Sequence, residues 1–352
     1  MRAIVKNEIL MNDIDFTLSV LERFPRAPLG HLPTPIEAMP NLGQELGLSL
    51  FVKRDDCTGI GFGGNKVRQL EYYLGAAQVA GADVLLITGA VQSNFVRTAA
   101  AMGARLGMRC HIQLEERVPD VSDLHRTNGN VMLDKLLGAT LHSYPNGEDE
   151  AGADAAIGRI ADDLRHAGHR PYIIPLGADS KPLGALGYVR AALELLTQAK
   201  TVGDFDEIIV ASGSALTHAG LLLGLRLAED ETPVRGICVR RDAAQQAARV
   251  IQRVADTADL LGVDSAVVSP QDVHVTDAAL GPGYGRMTAG TRAAIERTAR
   301  AEGLFLDPVY TGKVMAGLIG LTEADALRGD RVLFWHTGGQ PALFGYADQF
   351  PN

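Results

Sequence analysis

Residues 51–71 read FVKRDDCTGIGFGGNKVRQLE, and this stretch decides how the rest of the chain is read. The apolar run LSLFV (48–52) reads as a buried strand. A glycine-rich turn follows from Gly59 to Gly64. The next segment is a helix whose apolar positions Val67, Leu70, Leu74 and Ala77 keep the 3.6-residue period. Asn65 suits the N-cap, which puts Lys66 in the first turn. A lysine there faces the partial positive charge of the helix N-terminus. With partial burial, that lowers the amine pKa and favours a nucleophilic neutral amine. Glycines ahead of a helix let backbone N–H groups approach a ligand closely. Gly59, Gly61 and Gly64 also satisfy GxGxxG, the pattern of a dinucleotide site. That reading needs an acidic residue after the next strand. VLLITGA (84–90) instead runs into VQSN, so NAD is discounted.

The chain has 352 residues, 46% hydrophobic, enough for two domains. A net charge of −9 without a basic patch argues against nucleic acid and anionic membrane as partners. No stretch approaches the roughly 20 consecutive apolar residues of a membrane span. The N-terminus MRAIVKNEILMNDIDF has no signal-peptide core, and Cys57, Cys110 and Cys238 show no CxxC spacing. Both point to the cytoplasm, without disulfides. His166 and His169 form the one close histidine pair, in an Arg-rich exposed segment, so no metal is expected.

Residues 1–24 read as an extension, helical around LSVLERF, and prolines from Pro25 to Pro40 enforce an irregular path. Thereafter strand and helix alternate. Strands are expected at 84–90, 110–116, 140–144, 171–177, 207–212, 234–240, 304–309 and 331–337. Helices are expected near 93–106, 128–137, 150–167, 186–198, 217–228, 243–261, 288–302 and 312–328. Such alternation means an α/β fold with parallel sheets covered on both faces, its ligand beyond the carboxyl ends of the strands. Those ends carry GGNK, TGAVQSN, PLGADSK, SGSALTHAG, LDPVYTGK and HTGG, all rich in glycine and hydroxyls. They converge on one large polar site.

SGSALT (212–217) follows a strand and opens a helix, making a phosphate cup without the GK[ST] ending of a nucleotide P-loop. A phosphate cup and a buried lysine in one fold suggest pyridoxal 5′-phosphate (PLP). Of the seven lysines, Lys66 has the best context for an imine; Lys313 and Lys53 are the fallbacks.

GGNKVRQLE, GAVQSNFVRTAA, SGSALTHAGL, GPGYG, LDPVYTGK and FWHTGG, in this order, resemble one family. It comprises D-cysteine desulfhydrases, 1-aminocyclopropane-1-carboxylate (ACC) deaminases and L-cysteate sulfo-lyases. The resemblance covers about residues 22–346 and implies PLP fold type II, related to the tryptophan synthase β chain. It implies a large PLP-binding domain (1–62 and 179–352) and a smaller α/β domain (63–178) carrying the Schiff-base lysine and the QSN motif. It makes Lys66 the Schiff-base lysine and the base at Cα. Asn94 would meet the cofactor's phenolic oxygen, and Gly213, Ser214, Ala215, Leu216 and Thr217 the phosphate. Thr337 would meet the pyridine nitrogen. Gln92 and Ser93 would take the substrate carboxylate, Tyr284 and Tyr310 the substrate side of the ring, and Thr311 would contact substrate. Taken singly, Asn94, Thr337 or either tyrosine reads as a turn or packing residue; the ensemble raises them. A homodimer is implied by the resemblance alone.

The resemblance further implies β-elimination on a small amino acid, with pyruvate, ammonia and sulfide released. Thr311 and Thr337 depart from the glutamate and leucine of ACC deaminases, which argues against ring opening. YTGK is typical of D-cysteine desulfhydrases. KRDDCTG and HLPTP resemble L-cysteate sulfo-lyases, the alternative. The chain departs from the family at Gln69, in place of a basic residue, at Leu216, in place of a small one, and in the loop GADSKPLG (177–184). A PLP-binding protein without turnover and a nucleotide-dependent oxidoreductase complete the set of readings.

Overall fold

The computed structural model describes residues 13–147, 149–176 and 180–350. The first twelve residues of the expected extension, and 177–179 of the loop noted above, lie outside the described residues. The chain opens on α1 (Asp13–Leu21), β1 (Ile36–Ala38), α2 (Pro40–Leu46) and β2 (Ser49–Arg54). It continues through α3 (Asn65–Val79), β3 (Val84–Ala90), α4 (Asn94–Arg105), β4 (Arg109–Glu115), α5 (Asp123–Thr127) and α6 (Asn130–Leu136). Next come β5 (Thr140–Tyr144), α7 (Glu150–His166), β6 (Pro171–Ile174), α8 (Leu183–Val202), β7 (Glu207–Ser212) and α9 (Leu216–Leu227). The last are β8 (Val234–Cys238), α10 (Ala243–Leu261), β9 (His274–Thr276), α11 (Ala289–Glu302), α12 (Thr311–Glu323) and β10 (Arg331–His336).

These strands form two sheets. The larger has the order β1-β2-β10-β7-β8-β9 and the smaller β5-β4-β3-β6. All pairings are parallel except β1 with β2, with Leu333 opposite Phe51 in one sheet and Ile87 opposite Ile112 in the other. Parallel strands buried on both faces should be almost wholly apolar. VLLITGA obeys, with every residue buried. One face of the large sheet packs Ile208, Val210, Leu333 and Trp335 against α8 and α9; the other packs Ile209, Val332 and Phe334 against α2 and α12. In the small sheet, Leu85, Ile87 and Ile112 face α3 and α4, while Val84 and Leu86 face α7. The strands of the large sheet come from residues before 62 and after 179, and those of the small one from between.

Several sequence expectations are corrected. LFLDPV (304–309) is not a strand. Asp307 instead turns its carboxylate onto the backbone N–H groups of Val309, Tyr310 and Thr311, so the chain breaks to start α12. The helix expected over 128–137 starts only at Asn130, as α6, after Gly129 (φ 61°), and an unexpected short helix, α5, precedes it. Asn65 is the first helical residue of α3, and Gly64 is the cap. The helix expected to run to 328 ends at Glu323. The strands β1 and β9, three residues each, and the 3-10 run Gln340–Gln349 carry no period long enough to read.

Candidate active site

The turn before α3 is shaped by close backbone approaches. A Cβ on Gly63 would lie 2.2 Å from the Asp56 carbonyl oxygen, and one on Gly64 (φ 109°) 3.0 Å from that of Thr337. Neither position admits a side chain without displacement. Asn65 N–H donates to the same Thr337 oxygen at 2.9 Å. The start of α3 is thereby joined to the end of β10, which brings Lys66 and Thr337 to the wall of one cavity.

That cavity, about 1350 Å³ out to its open mouth, lies between the carboxyl ends of the two sheets. Lys66 is the lysine that lines it among the described residues. Lys53 is instead held by Thr34, Glu194 and Gln198, and Lys313 by the carbonyls of Leu280 and Gly283. Burial pushes the Lys66 amine down to about 8. It donates to Gln69 Oε1 at 3.2 Å and lies 5.7 Å from the Phe95 ring centre. This amine is neutral in a sizeable fraction of molecules near physiological pH and has no carboxylate holding it.

Asn94 and Ser93 also line the cavity. Asn94 Oδ1 accepts from Asn130 Nδ2 at 3.0 Å and Arg97 Nη2 at 3.4 Å, which leaves the amide N–H₂ edge for the cavity. Ser93 caps α4, its Oγ accepting from the N–H groups of Phe95 and Val96, so its proton is free to donate.

Gly213, Ser214, Ala215, Leu216 and Thr217 curl around the N-terminus of α9 and all line the cavity. Ala215 caps the helix with φ 72°, a left-handed conformation rare outside glycine. Arg241 donates to the Gly213 carbonyl at 3.2 Å and Arg249 to that of Ser214 at 3.4 Å. Those oxygens are taken from outside, while the first N–H groups of α9 have no intrahelical acceptor. The result is a cradle of donors backed by guanidinium charge, suited to a dianionic phosphate.

The hydroxyls of Tyr284 and Tyr310 are 2.8 Å apart. Burial pushes both pKa values up; Tyr284 adds to the rise at Tyr310, while the hydrogen bond from Tyr310 opposes it at Tyr284. Both stay protonated, and one proton bridges the pair while the other is available to the cavity. Facing them from the end of β4 are Glu115 and Arg117, paired at 2.6 Å, with Thr88 donating to Glu115.

Two expected site residues are not brought into the cavity. Gln92 is buried in a local network, donating to the carbonyls of His125 (2.6 Å) and Asn128 (2.9 Å) and accepting from Asn130 N–H (3.0 Å). Thr311 is fully buried at the start of α12, its hydroxyl on Asp307. Both shape the walls. The sequence reading missed Thr88, Glu115, Arg117, Arg240 and Arg249, all cavity residues. Glu115 and Arg117 follow β4 and Arg240 follows β8, so the strand-end rule applied to those two strands finds them.

No group of three or more His, Cys, Asp or Glu residues suited to a metal occurs among the described residues, and none of their helices is long and apolar enough to cross a membrane. A family model described as "Pyridoxal-phosphate dependent enzyme" matches residues 27–338. A D-cysteine desulfhydrase of Salmonella typhi is 41% identical over 327 residues, spanning 93% of this chain and 97% of the relative. One from Salmonella choleraesuis is 42% identical over the same share. Among solved structures, an ACC deaminase homologue superimposes with a TM-score of 0.84 at 37% identity, covering 95% of this chain and 97% of that one. Threonine deaminase isoform 2 from Solanum lycopersicum (TM-score 0.62, 15% identity, 96% and 90% covered) shares the fold. A buried, uncompensated lysine amine and a phosphate-sized donor cradle on one cavity are what this cofactor needs, and the chain belongs to the pyridoxal-phosphate dependent enzyme family.

Proposed function

We propose that this enzyme eliminates sulfide from the Cβ of D-cysteine, and that water then hydrolyses the released 2-aminoacrylate to pyruvate and ammonia. The observation that carries the reading is Lys66, a partly deprotonated amine opening on a cavity that also holds a phosphate cradle and a tyrosine pair. When bound, the cofactor supplies an electrophilic carbon for an amine and a ring system that takes up the charge left at Cα. Lys66 Nζ removes the Cα proton, a task matched by a pKa near the working pH. Gly213 to Thr217 would hold the phosphate, the Asn94 amide would serve the phenolic oxygen, and Thr337, a neutral hydroxyl, would serve the ring nitrogen. Ser93 donates to the substrate carboxylate, and this anchoring sets the orientation of the Cα–H bond. Tyr310, with Tyr284 behind it, delivers a proton to the departing sulfur. Gln92 and Thr311 support this wall from behind rather than touching substrate.

A second reading, elimination of sulfite from L-cysteate, draws support from Arg117 and Arg240 on the cavity wall, which suit a charged leaving group. Pyruvate release measured with D-cysteine, L-cysteate and ACC separates the readings. Turnover of D-cysteine at least tenfold above the others supports the first, and a preference for L-cysteate replaces it. The same proposal divides the chain into domains 1–62 with 179–352 and 63–178, and makes it a cytoplasmic homodimer. Three cysteines outside any disulfide agree with a reducing compartment. Sedimentation as a monomer at micromolar concentration would contradict the dimer.

A further inference from the structure

A hydrogen-bond chain of single direction runs along the cavity floor. Lys66 Nζ donates to Gln69 Oε1 at 3.2 Å, and Gln69 Nε2 donates to Thr217 Oγ1 at 2.9 Å. Asn65 Nδ2 donates to the same hydroxyl oxygen, also at 2.9 Å. A hydroxyl has two acceptor sites and one proton. Both sites of Thr217 are occupied, and no acceptor among the described residues takes its proton. Thr217 lies in the first turn of α9 and lines the cavity, so that proton is aimed at whatever fills the cradle. Gln69 is 1% exposed and its amide is engaged at both ends. Reversed, the amide would set its N–H₂ against the lysine and its oxygen against Thr217, and the Thr217 proton would be used within the protein.

We propose that Gln69 is a positioning residue with two duties: it seats the free amine of Lys66 and turns the Thr217 proton toward an anionic oxygen in the cavity. The inference rests on reading Lys66 as the reactive amine and 213–217 as the anion cradle. A cation at position 69 would hold an anion by charge but repel the lysine. A neutral amide does both jobs by hydrogen bonding. Among the described residues no carboxylate forms an ion pair with Lys66, and no charged neighbour contributes to its shift. Glu115 and Arg117 at the end of β4, Glu150 and Asp154 on α7, Arg240 after β8, and Arg249 and Arg253 on α10 share the cavity wall, yet none of these charges contributes to the downward shift of Lys66, which burial causes. From α4 the Phe95 ring lies with its centre 5.7 Å from the Lys66 amine.

The test uses the full chain stripped of cofactor. The pH dependence of Lys66 acylation is read by mass spectrometry, and inorganic phosphate binding by calorimetry. The acylation midpoint of the unmodified chain is expected at about 8. In Gln69→Leu the ammonium loses its acceptor, so the midpoint falls by roughly one pH unit and phosphate binds about fivefold more weakly. In Gln69→Glu the midpoint rises by about one unit while phosphate weakens by more than about tenfold. In Gln69→Lys the midpoint falls and phosphate tightens. Opposite movement in the Glu and Lys variants supports the two duties, and loss of packing alone does not produce it. Unchanged midpoints in Gln69→Leu and Gln69→Lys overturn the inference, even if Gln69→Glu fails to fold. Absence of phosphate binding to the unmodified chain overturns the cradle reading, and the inference with it.

Discussion

Asn94 acts through residues that no local pattern exposes. Its amide orientation is fixed by Asn130 and Arg97, the second a guanidinium 1% exposed that also donates to the Gly63 carbonyl. Asn130→Ala should therefore free the amide to turn and weaken cofactor retention by about tenfold, the equivalent of one lost hydrogen bond, as equilibrium dialysis would measure. Tyr310→Phe removes the proposed proton donor and leaves the cradle intact. Pyruvate release should fall by roughly 10² to 10⁴ with cofactor binding unchanged. That Lys66, Ser93, Asn94 and Thr337 line one cavity was legible in the sequence because each stands at a strand end or helix start. Gln92 was misplaced because sequence adjacency to Ser93 says nothing of direction. At the turn between β3 and α4 its side chain points to the 125–130 segment, where Gly129 and Gly345 leave room for it. Thr311 was misplaced because α12 starts one residue earlier than expected, and its hydroxyl serves Asp307.

At the scale of elements, the entry into α3 decides where Lys66 sits. Gly64→Ala forces a Cβ toward the Thr337 carbonyl at a φ of 109° that alanine rarely adopts. A destabilisation of about 1–3 kcal/mol and loss of the Asn65–Thr337 link are expected. Thermal unfolding and cofactor titration should register both together. The strands of both sheets were legible wherever burial on two faces makes the run apolar, as in VLLITGA, EIIVAS and RVLFWH. LFLDPV is as apolar at four of its six positions yet is no strand, because Asp307 offers its carboxylate to the N–H groups of Val309, Tyr310 and Thr311 that a strand neighbour would otherwise take. That competition is local and polar, and a hydrophobic period carries no trace of it.

Across the whole molecule, one buried polar network ties the site to both chain segments of the large sheet. Asp55, fully buried, accepts from Arg68 of α3, Thr34, Tyr188 of α8 and Trp335 of β10. Burial opposes its charge, but the Arg68 guanidinium overcomes that and holds the carboxyl below the usual carboxylate range. Its folded pKa is depressed, so its contribution is present above the unfolded pKa and is lost as pH falls through the folded one. Asp55→Ala should cost about 3–5 kcal/mol at neutral pH, because Arg68, Tyr188 and Trp335 lose their common buried acceptor and Arg68 keeps only its pair with Glu194. The difference from the unmodified protein should shrink as pH drops below about 4, as denaturant titrations at several pH values would show. The network spans positions 34 to 335, and such long-range pairing is invisible in any short window of sequence. The central claim is that Lys66 holds the cofactor and drives elimination. An absorbance spectrum of the purified protein tests it, recorded with added pyridoxal phosphate and then with D-cysteine, alongside Lys66→Ala. A band near the visible edge that changes on adding D-cysteine with release of pyruvate is expected, both absent in Lys66→Ala. A band and pyruvate release that survive in Lys66→Ala, or no band in the unmodified protein, would contradict it.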